Sequence, residues 1–185
     1  MQVYPTNKAN MFDDKGYVEI YTGDGKGKTT SALGLALRAA GHGASIAIIQ
    51  FMKGWQYYGE LKSLLLFPNI KLVQTGRPDY VYRGSEKKED YAEARRGIQL
   101  AREFMRSSEY DMIILDEINV ALDYGLLPIS EVVDLIKNKP HEIELILTGR
   151  NAPEELIELA DLVTEMREVR HPYSRGISAR KGIEF

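Results

Sequence analysis

The run "TGDGKGKTTSALG", Thr22 to Gly34, limits the possible folds more than any other part of the chain. It follows the β-rich stretch "YVEIYT" and opens the small, apolar, helical stretch "KTTSALGLALRAA". Glycines at such a junction let backbone N–H groups converge on an anion, and the start of the helix adds about half a positive charge. In that setting Lys28 is expected to reach phosphate oxygens and the Thr29 hydroxyl to ligate Mg²⁺. The strict phosphate-loop spacing G-x-x-x-x-G-K-[ST] is not met. Thr22 stands where the first glycine belongs, and Gly23 and Gly25 occur instead, so the loop is a variant. A plain glycine turn is the competing reading, but it leaves two lysines and the Thr29–Thr30 pair in register without a purpose. Asp24 has three candidate roles: a solvated group, a turn cap, or an acceptor for a sugar or base. Lys26 offsets its charge and offers a second contact to phosphate.

The rest of the chain alternates between short apolar runs and longer helical patterns. The expected strands are "YVEIYT", "SIAIIQF", "IKLVQT", "DMIILD", "IELILTG" and "LVTEMREV". Several are nearly continuous in apolar residues, as parallel strands covered on both faces should be. The first helix is expected to end with Gly41 as its C-cap. "EKKEDYAEARRGIQLAREFMRS" follows Ser85, an expected N-cap. "EINVALDY" stops at Gly125, "SEVVDLIKN" stops before Pro140, and Pro153 suits the first position of "PEELIELA". Strand and helix alternate throughout. The expected fold is therefore α/β and P-loop NTPase-like (RecA-like), a mostly parallel sheet of about six strands with helices on both faces. Residues 1–15 are polar and lack a clear period, and are expected to form an arm, flexible or docked on a partner subunit. Residues 16–185 form the expected domain.

Composition narrows the function classes. The 185 residues include no cysteine, which excludes disulfides, thiolate metal sites and a cysteine nucleophile. A net charge of −3 gives no general case for nucleic-acid binding. No signal-peptide pattern opens the chain, and "SLLLF" and "MIIL" are too short to span a bilayer, so a soluble, cytoplasmic protein away from membranes is expected.

"MIILDEIN" delivers Asp116 and Glu117 from an apolar strand to the edge of the sheet beside the phosphate loop. Such a pair holds Mg²⁺ directly or through water, or Glu117 activates water as a general base. Residue types alone leave both roles open. "LTGRN" brings Thr148, Gly149 and Arg150 to the same edge, with Arg150 either a phosphate clamp or one half of a surface ion pair. "QFMKGWQYYGE" and "TGRPDYVYRGSE" follow strands and carry Trp55, Tyr57, Tyr58, Tyr80 and Tyr82, which together could wall a large flat ligand. If its segment is extended, Tyr80 faces the same way as Tyr82. His42, His141 and His171 show no metal-ligand spacing, and Arg38 reads as a solvated charge.

Several stretches in order resemble the P-loop-type ATP:corrinoid adenosyltransferases: "TGDGKGKTTSALGLALRAAGHG", "IIQFMKG", "ILDEINVAL", "LILTGRNAPEELIELADLVTEM" and the closing "HPYSRGISARKGIEF". The likeness runs from about Gly16 to Phe185, and the family's loop, G-[ND]-G-K-G-K-T-T, matches the variant loop here. The resemblance implies that Co(I) of a reduced corrinoid attacks the 5′ carbon of ATP and triphosphate leaves. It also implies a cradle of Gly23, Asp24, Gly25, Lys26, Gly27, Lys28, Thr29 and Thr30, with Lys28 and Glu117 as catalytic groups. By the same resemblance Mg²⁺ would be held by Thr29 and Glu117, with Arg150 near the nucleotide, and Asp116 joins the expected metal ligands from the strand-end carboxylate pair. A flavoprotein-type reductase supplying the electron and a homodimer are further implications. Two departures stand out. Tyr80 and Tyr82 occupy the region where the family often has Phe and Trp beneath the corrin, and Arg180 stands where glutamine is common. An ordinary P-loop ATPase or kinase would instead yield a product of γ-phosphate transfer, and a regulatory nucleotide-binding module would turn nothing over.

Overall fold

The protein is described by a computed structural model covering residues 11–12 and 15–185. Most of the expected N-terminal arm, residues 1–10 and 13–14, lies outside the described residues. Met11 and Phe12 pack against the face of the sheet that carries the first helix.

Six strands form one sheet: β1 (Val18–Thr22), β2 (Ile46–Phe51), β3 (Ile70–Thr75), β4 (Met112–Asp116), β5 (Glu144–Thr148) and β6 (Leu162–Glu165). Their order is β3-β2-β4-β5-β1-β6, and every pairing is parallel. Helices α1 (Lys28–Gly41), α2 (Glu60–Ser63), α3 (Lys88–Ser107), α4 (Ile118–Asp123), α5 (Ile129–Lys137) and α6 (Glu154–Ile157) connect them. Short 3₁₀ turns at Leu64–Leu66 and Pro172–Arg175 were not read from the sequence.

Strand periodicity sorts the core into two layers. Ala47, Ile49, Ile113, Leu115, Leu145 and Leu147 point to the face covered by α3, α4, α5 and α6. Ile46, Ile48, Met112, Ile114 and Ile146 point to the face covered by α1, whose Ala32, Ala36 and Ala39 are buried there. Small side chains at those helical spacings let α1 lie close to the sheet. β2, β4 and β5 are buried along their full length, as their apolar runs require, whereas β6 is an exposed edge. The α/β sheet with both faces covered agrees with the sequence reading.

Three caps differ from expectation. α3 starts at Lys88, and the Lys87 N–H donates to the Asp90 carboxylate at 2.8 Å. Arg77 also grips Asp90, and this fixes where the helix begins. The Ser85 hydroxyl is engaged in a turn instead, donating to the Tyr82 carbonyl at 2.7 Å. Gly41 is the last helical residue of α1, and the left-handed position falls to Gly43 (φ +95°). Pro153 precedes α6, with extended backbone.

Candidate functional site

The sequence-predicted loop and carboxylates meet at the carboxyl edge of the sheet. Pairing places Gln50 of β2 beside Asp116 of β4, and β5 brings Thr148 alongside. Alternation turns all three side chains to the α1 face, above the ladder of Ile46, Ile48, Ile114 and Ile146. Thr29, in the first turn of α1, meets them there.

Asp116 is the hub. One of its carboxylate oxygens, Oδ1, accepts the Thr29 and Thr148 hydroxyls, each at 2.8 Å. The other, Oδ2, accepts the Lys53 ammonium at 2.7 Å and the Gln50 amide at 3.2 Å. Burial opposes its ionisation, but the Lys53 charge and these donors outweigh burial and hold the carboxyl below the usual carboxylate range. Burial likewise works against the Lys53 ammonium, and the carboxylates outweigh it and raise its pKa.

Glu117 differs from its neighbour. Its backbone is left-handed (φ +63°), and its N–H donates to the Thr148 hydroxyl at 3.0 Å. Its carboxylate accepts no hydrogen bond among the described residues. Burial, then the charge of Asp116, raises its pKa. Met52 and Asn151, just past β2 and β5, also have positive φ. Non-glycine residues rarely adopt that conformation, and three of the four described ones lie along the edge that carries the polar groups, the fourth being Ser108 at the end of α3.

Gly23 (φ +89°) lies so close to the chain leaving β6 that a Cβ would sit 2.6 Å from the Met166 carbonyl. A Cβ on Gly25 would sit 2.7 Å from the same oxygen, which the Gly25 N–H contacts at 2.6 Å. That N–H is therefore turned to protein. The first-turn N–H groups of α1, on Lys28, Thr29 and Thr30, have no carbonyl one turn earlier in the helix to bond. Lys28 is buried, and its ammonium donates to the carbonyls of Gly23 (2.6 Å) and Gly25 (2.7 Å). Burial lowers its pKa against the pull of Glu117. Arg150 donates to the Asp24 carbonyl at 3.2 Å, with the Asp24 carboxylate 3.9 Å away, so both stand at the rim of the loop. Lys26 turns to the C-terminal segment, donating to the Ile183 carbonyl and the Glu184 carboxylate.

Beside this cluster lies a cleft of about 290 Å³, lined by Lys53, Trp55, Tyr58, Arg77, Asp79 and Tyr80 among others. Trp55 packs against Tyr57 and Tyr58, with ring centres 5.4 and 5.3 Å away. Tyr82 does not line the cleft; its ring packs edge-on against Tyr80 at 4.8 Å. Lys53 belongs to both the cleft and the Asp116 cluster, and so joins them. The sequence reading missed Lys53, Gln50 and Phe185. A lysine two residues beyond a wholly buried strand, at a ligand-bearing edge, was the available signal for Lys53. Gln50 was hidden inside the strand. Phe185 is a terminal residue without a local pattern.

The site offers a cradle at a helix start, a buried carboxylate hub, a second carboxylate free to meet a cation, and an aromatic cleft next door. Oxygen donors from Thr29 and Glu117 suit Mg²⁺, which takes few protein ligands and shares its shell with phosphate and water. The profile of the family described as ATP:corrinoid adenosyltransferase BtuR/CobO/CobP matches residues 14–185. A corrinoid adenosyltransferase from a Sinorhizobium species is 40% identical over 96% of this chain and 84% of its own length. One from Escherichia coli is 37% identical over 96% of this chain and 89% of its own. The corrinoid adenosyltransferase CobA of Salmonella typhimurium is 33% identical, with the same two shares. Matched along nearly its whole length by the profile and by full-length relatives, the chain belongs to the ATP:corrinoid adenosyltransferase family.

Proposed function

We infer that this chain transfers the 5′-deoxyadenosyl group of ATP to the Co(I) centre of a reduced corrinoid. The cobalt lone pair forms the Co–C5′ bond, the C5′–O bond breaks, and triphosphate departs with that electron pair. No phosphoanhydride bond is cleaved, and no protein nucleophile is required. The observation that carries this reading is the meeting of Thr29, Asp116 and Thr148 in one hydrogen-bonded cluster, linked through Lys53 to an aromatic cleft.

In this reading the loop from Gly23 to Thr30 holds the triphosphate, and Lys28 and the first-turn N–H groups of α1 stabilise charge as it develops on the leaving group. Thr29 and Glu117 would hold Mg²⁺, which supplies further charge neutralisation to the leaving triphosphate. Asp116 aims Thr29 and keeps Lys53 charged. Its two oxygens already serve four donors, which favours a supporting role over direct ligation. Arg150 steadies the outer side of the loop. The aromatic cleft receives the corrin, with Tyr80 at its wall and Tyr82 supporting Tyr80 from behind. A homodimer, a reductase of flavoprotein type and a cytoplasmic setting complete the proposal, as does an N-terminal arm over residues 1–15 attached to a catalytic domain over 16–185.

The test is anaerobic mixing of the protein, Mg-ATP and chemically reduced cobalamin, followed by the light-sensitive adenosylcobalamin spectrum. Formation that depends on ATP, and falls at least a hundredfold in Lys28→Ala, supports the reading. No adenosylcobalamin from the wild-type protein overturns it.

A further inference from the structure

The last six residues, Arg180 to Phe185, run from the phosphate loop to the aromatic cleft. Lys26 Nζ donates to the Ile183 carbonyl at 2.8 Å and to Glu184 Oε1 at 3.0 Å. The Arg180 N–H donates to Glu184 Oε2 at 2.7 Å, and the Arg180 guanidinium reaches both Glu184 oxygens at 3.1 and 3.3 Å. The Gly182 N–H closes the turn on the Phe185 carbonyl at 2.7 Å. These donors, Arg180 first, hold the Glu184 carboxyl down at about 2. The next residue, Phe185, sets its ring edge-on to Trp55 with centres 5.1 Å apart, and Trp55 lines the cleft. Adjacent residues thus touch the two halves of the site.

The contact to Lys26 is a weak one. Its side chains are 44% and 21% exposed, and half-exposed pairs of this kind hold together by little. A triphosphate carries several negative charges, so at the loop it attracts Lys26 more strongly than one carboxylate does, and it repels Glu184. We propose that Arg180–Phe185 is a latch: triphosphate bound at the loop takes Lys26 from Glu184, and the released segment withdraws Phe185 from Trp55, freeing that wall of the cleft to meet the second substrate. The latch rests on the reading in which the loop from Gly23 to Thr30 holds the triphosphate of ATP. It adds Glu184 and Phe185 as positioning residues that act through Lys26 and Trp55.

Trp55 is the only tryptophan of the chain, so its emission reports on its own surroundings, and Phe185→Ala isolates the part that Phe185 contributes. The full-length protein is titrated with Mg-ATP, and separately with inorganic triphosphate, while emission and binding heat are recorded on the same samples. The latch predicts an emission change that saturates with the heat for both probes. Glu184→Gln should begin with emission shifted towards the ATP-bound value and bind ATP about two- to fivefold more tightly, the range expected for loss of one weak competing pair. Phe185→Ala should bind ATP at least as tightly as the wild type, because the coupling is reciprocal, lose the emission response and change the KM for cobalamin more than kcat. Binding heat without any change in Trp55 emission, or weaker ATP binding in Glu184→Gln, overturns the latch and leaves the phosphate-loop reading standing. Absence of binding heat with either probe overturns both.

Discussion

Asp116 shows how one residue sets the chemistry of its neighbours. It is almost wholly buried, and its charge is tolerated because Lys53, two hydroxyls and an amide share it. Removing one partner of a buried pair leaves the other uncompensated, so Asp116→Asn should lower stability by about 3 kcal/mol, measured by urea unfolding. Adenosyl transfer should fall with it, because Thr29 loses its acceptor and Lys53 its counter-charge. Glu117→Gln should behave differently. That carboxylate has no hydrogen-bond partner among the described residues and its pKa is raised by burial, so the substitution should leave stability level or higher. Activity at limiting Mg²⁺ should drop at least tenfold, with partial recovery at high Mg²⁺ in a metal titration. At this scale the meeting of the glycine loop with Asp116 and Glu117 at one edge of the sheet was legible in the sequence, because each is a short run at the end of an apolar strand. Gln50 and Lys53 were not, since one is hidden inside β2 and the other lies just past it, and both meet Asp116 only through sheet register.

Among the elements, α3 and the strand ends carry the close tolerances. Gly97 in α3 lies against β2, where a Cβ would sit 2.5 Å from the Phe51 ring and 2.8 Å from the Thr75 hydroxyl. Gly97→Ala should destabilise by about 1–3 kcal/mol through overpacking, seen as a lower unfolding midpoint with unchanged slope. The loop between β1 and α1 is braced by the chain leaving β6, with the Met166 N–H donating to the Thr22 carbonyl at 2.8 Å. An exposed edge strand therefore shapes the phosphate loop, which explains why β6 belongs to this site although its side chains contribute little to the core. Apolar runs and periodicity revealed every strand and the long helices. They missed α2 and both 3₁₀ turns, which are only three or four residues long and lack a full amphipathic period. The caps were misplaced where a side chain had other business: Ser85 serves a turn, while Arg77 and Lys87 draw Asp90 to the start of α3.

Across the whole molecule, polar groups collect at both ends of the strands on the α1 face. Towards the amino end, Glu19 and Glu144 share that face, with the Tyr21 hydroxyl reaching back to donate to Glu19 and the Tyr17 N–H donating to Glu144 at 2.8 Å. Burial, helped by Glu19, raises the Glu144 carboxyl from an ordinary value of 4.5 to about 7. The folded protein therefore holds that proton more tightly than the unfolded chain does. This contribution is complete below about pH 4.5 and is lost as pH rises through about 7, on the order of 2 kcal/mol. Comparison of urea unfolding between pH 4.5 and 7.5 should show it, and Glu144→Gln should flatten that part of the profile. Nothing local in the sequence announced this pair, because 125 residues separate its members. The α/β architecture and the activity of the whole chain, by contrast, were legible from the order of its strands, loop and carboxylates and from the family resemblance. Adenosyl transfer and phosphoryl transfer differ in which bond of ATP is broken. Phosphorus NMR of the products from Mg-ATP, with and without Co(I) cobalamin under anaerobic conditions, reads that bond directly. Intact triphosphate forming only with Co(I), in step with adenosylcobalamin, is the predicted result. ADP and phosphate forming whether or not corrinoid is present would contradict it.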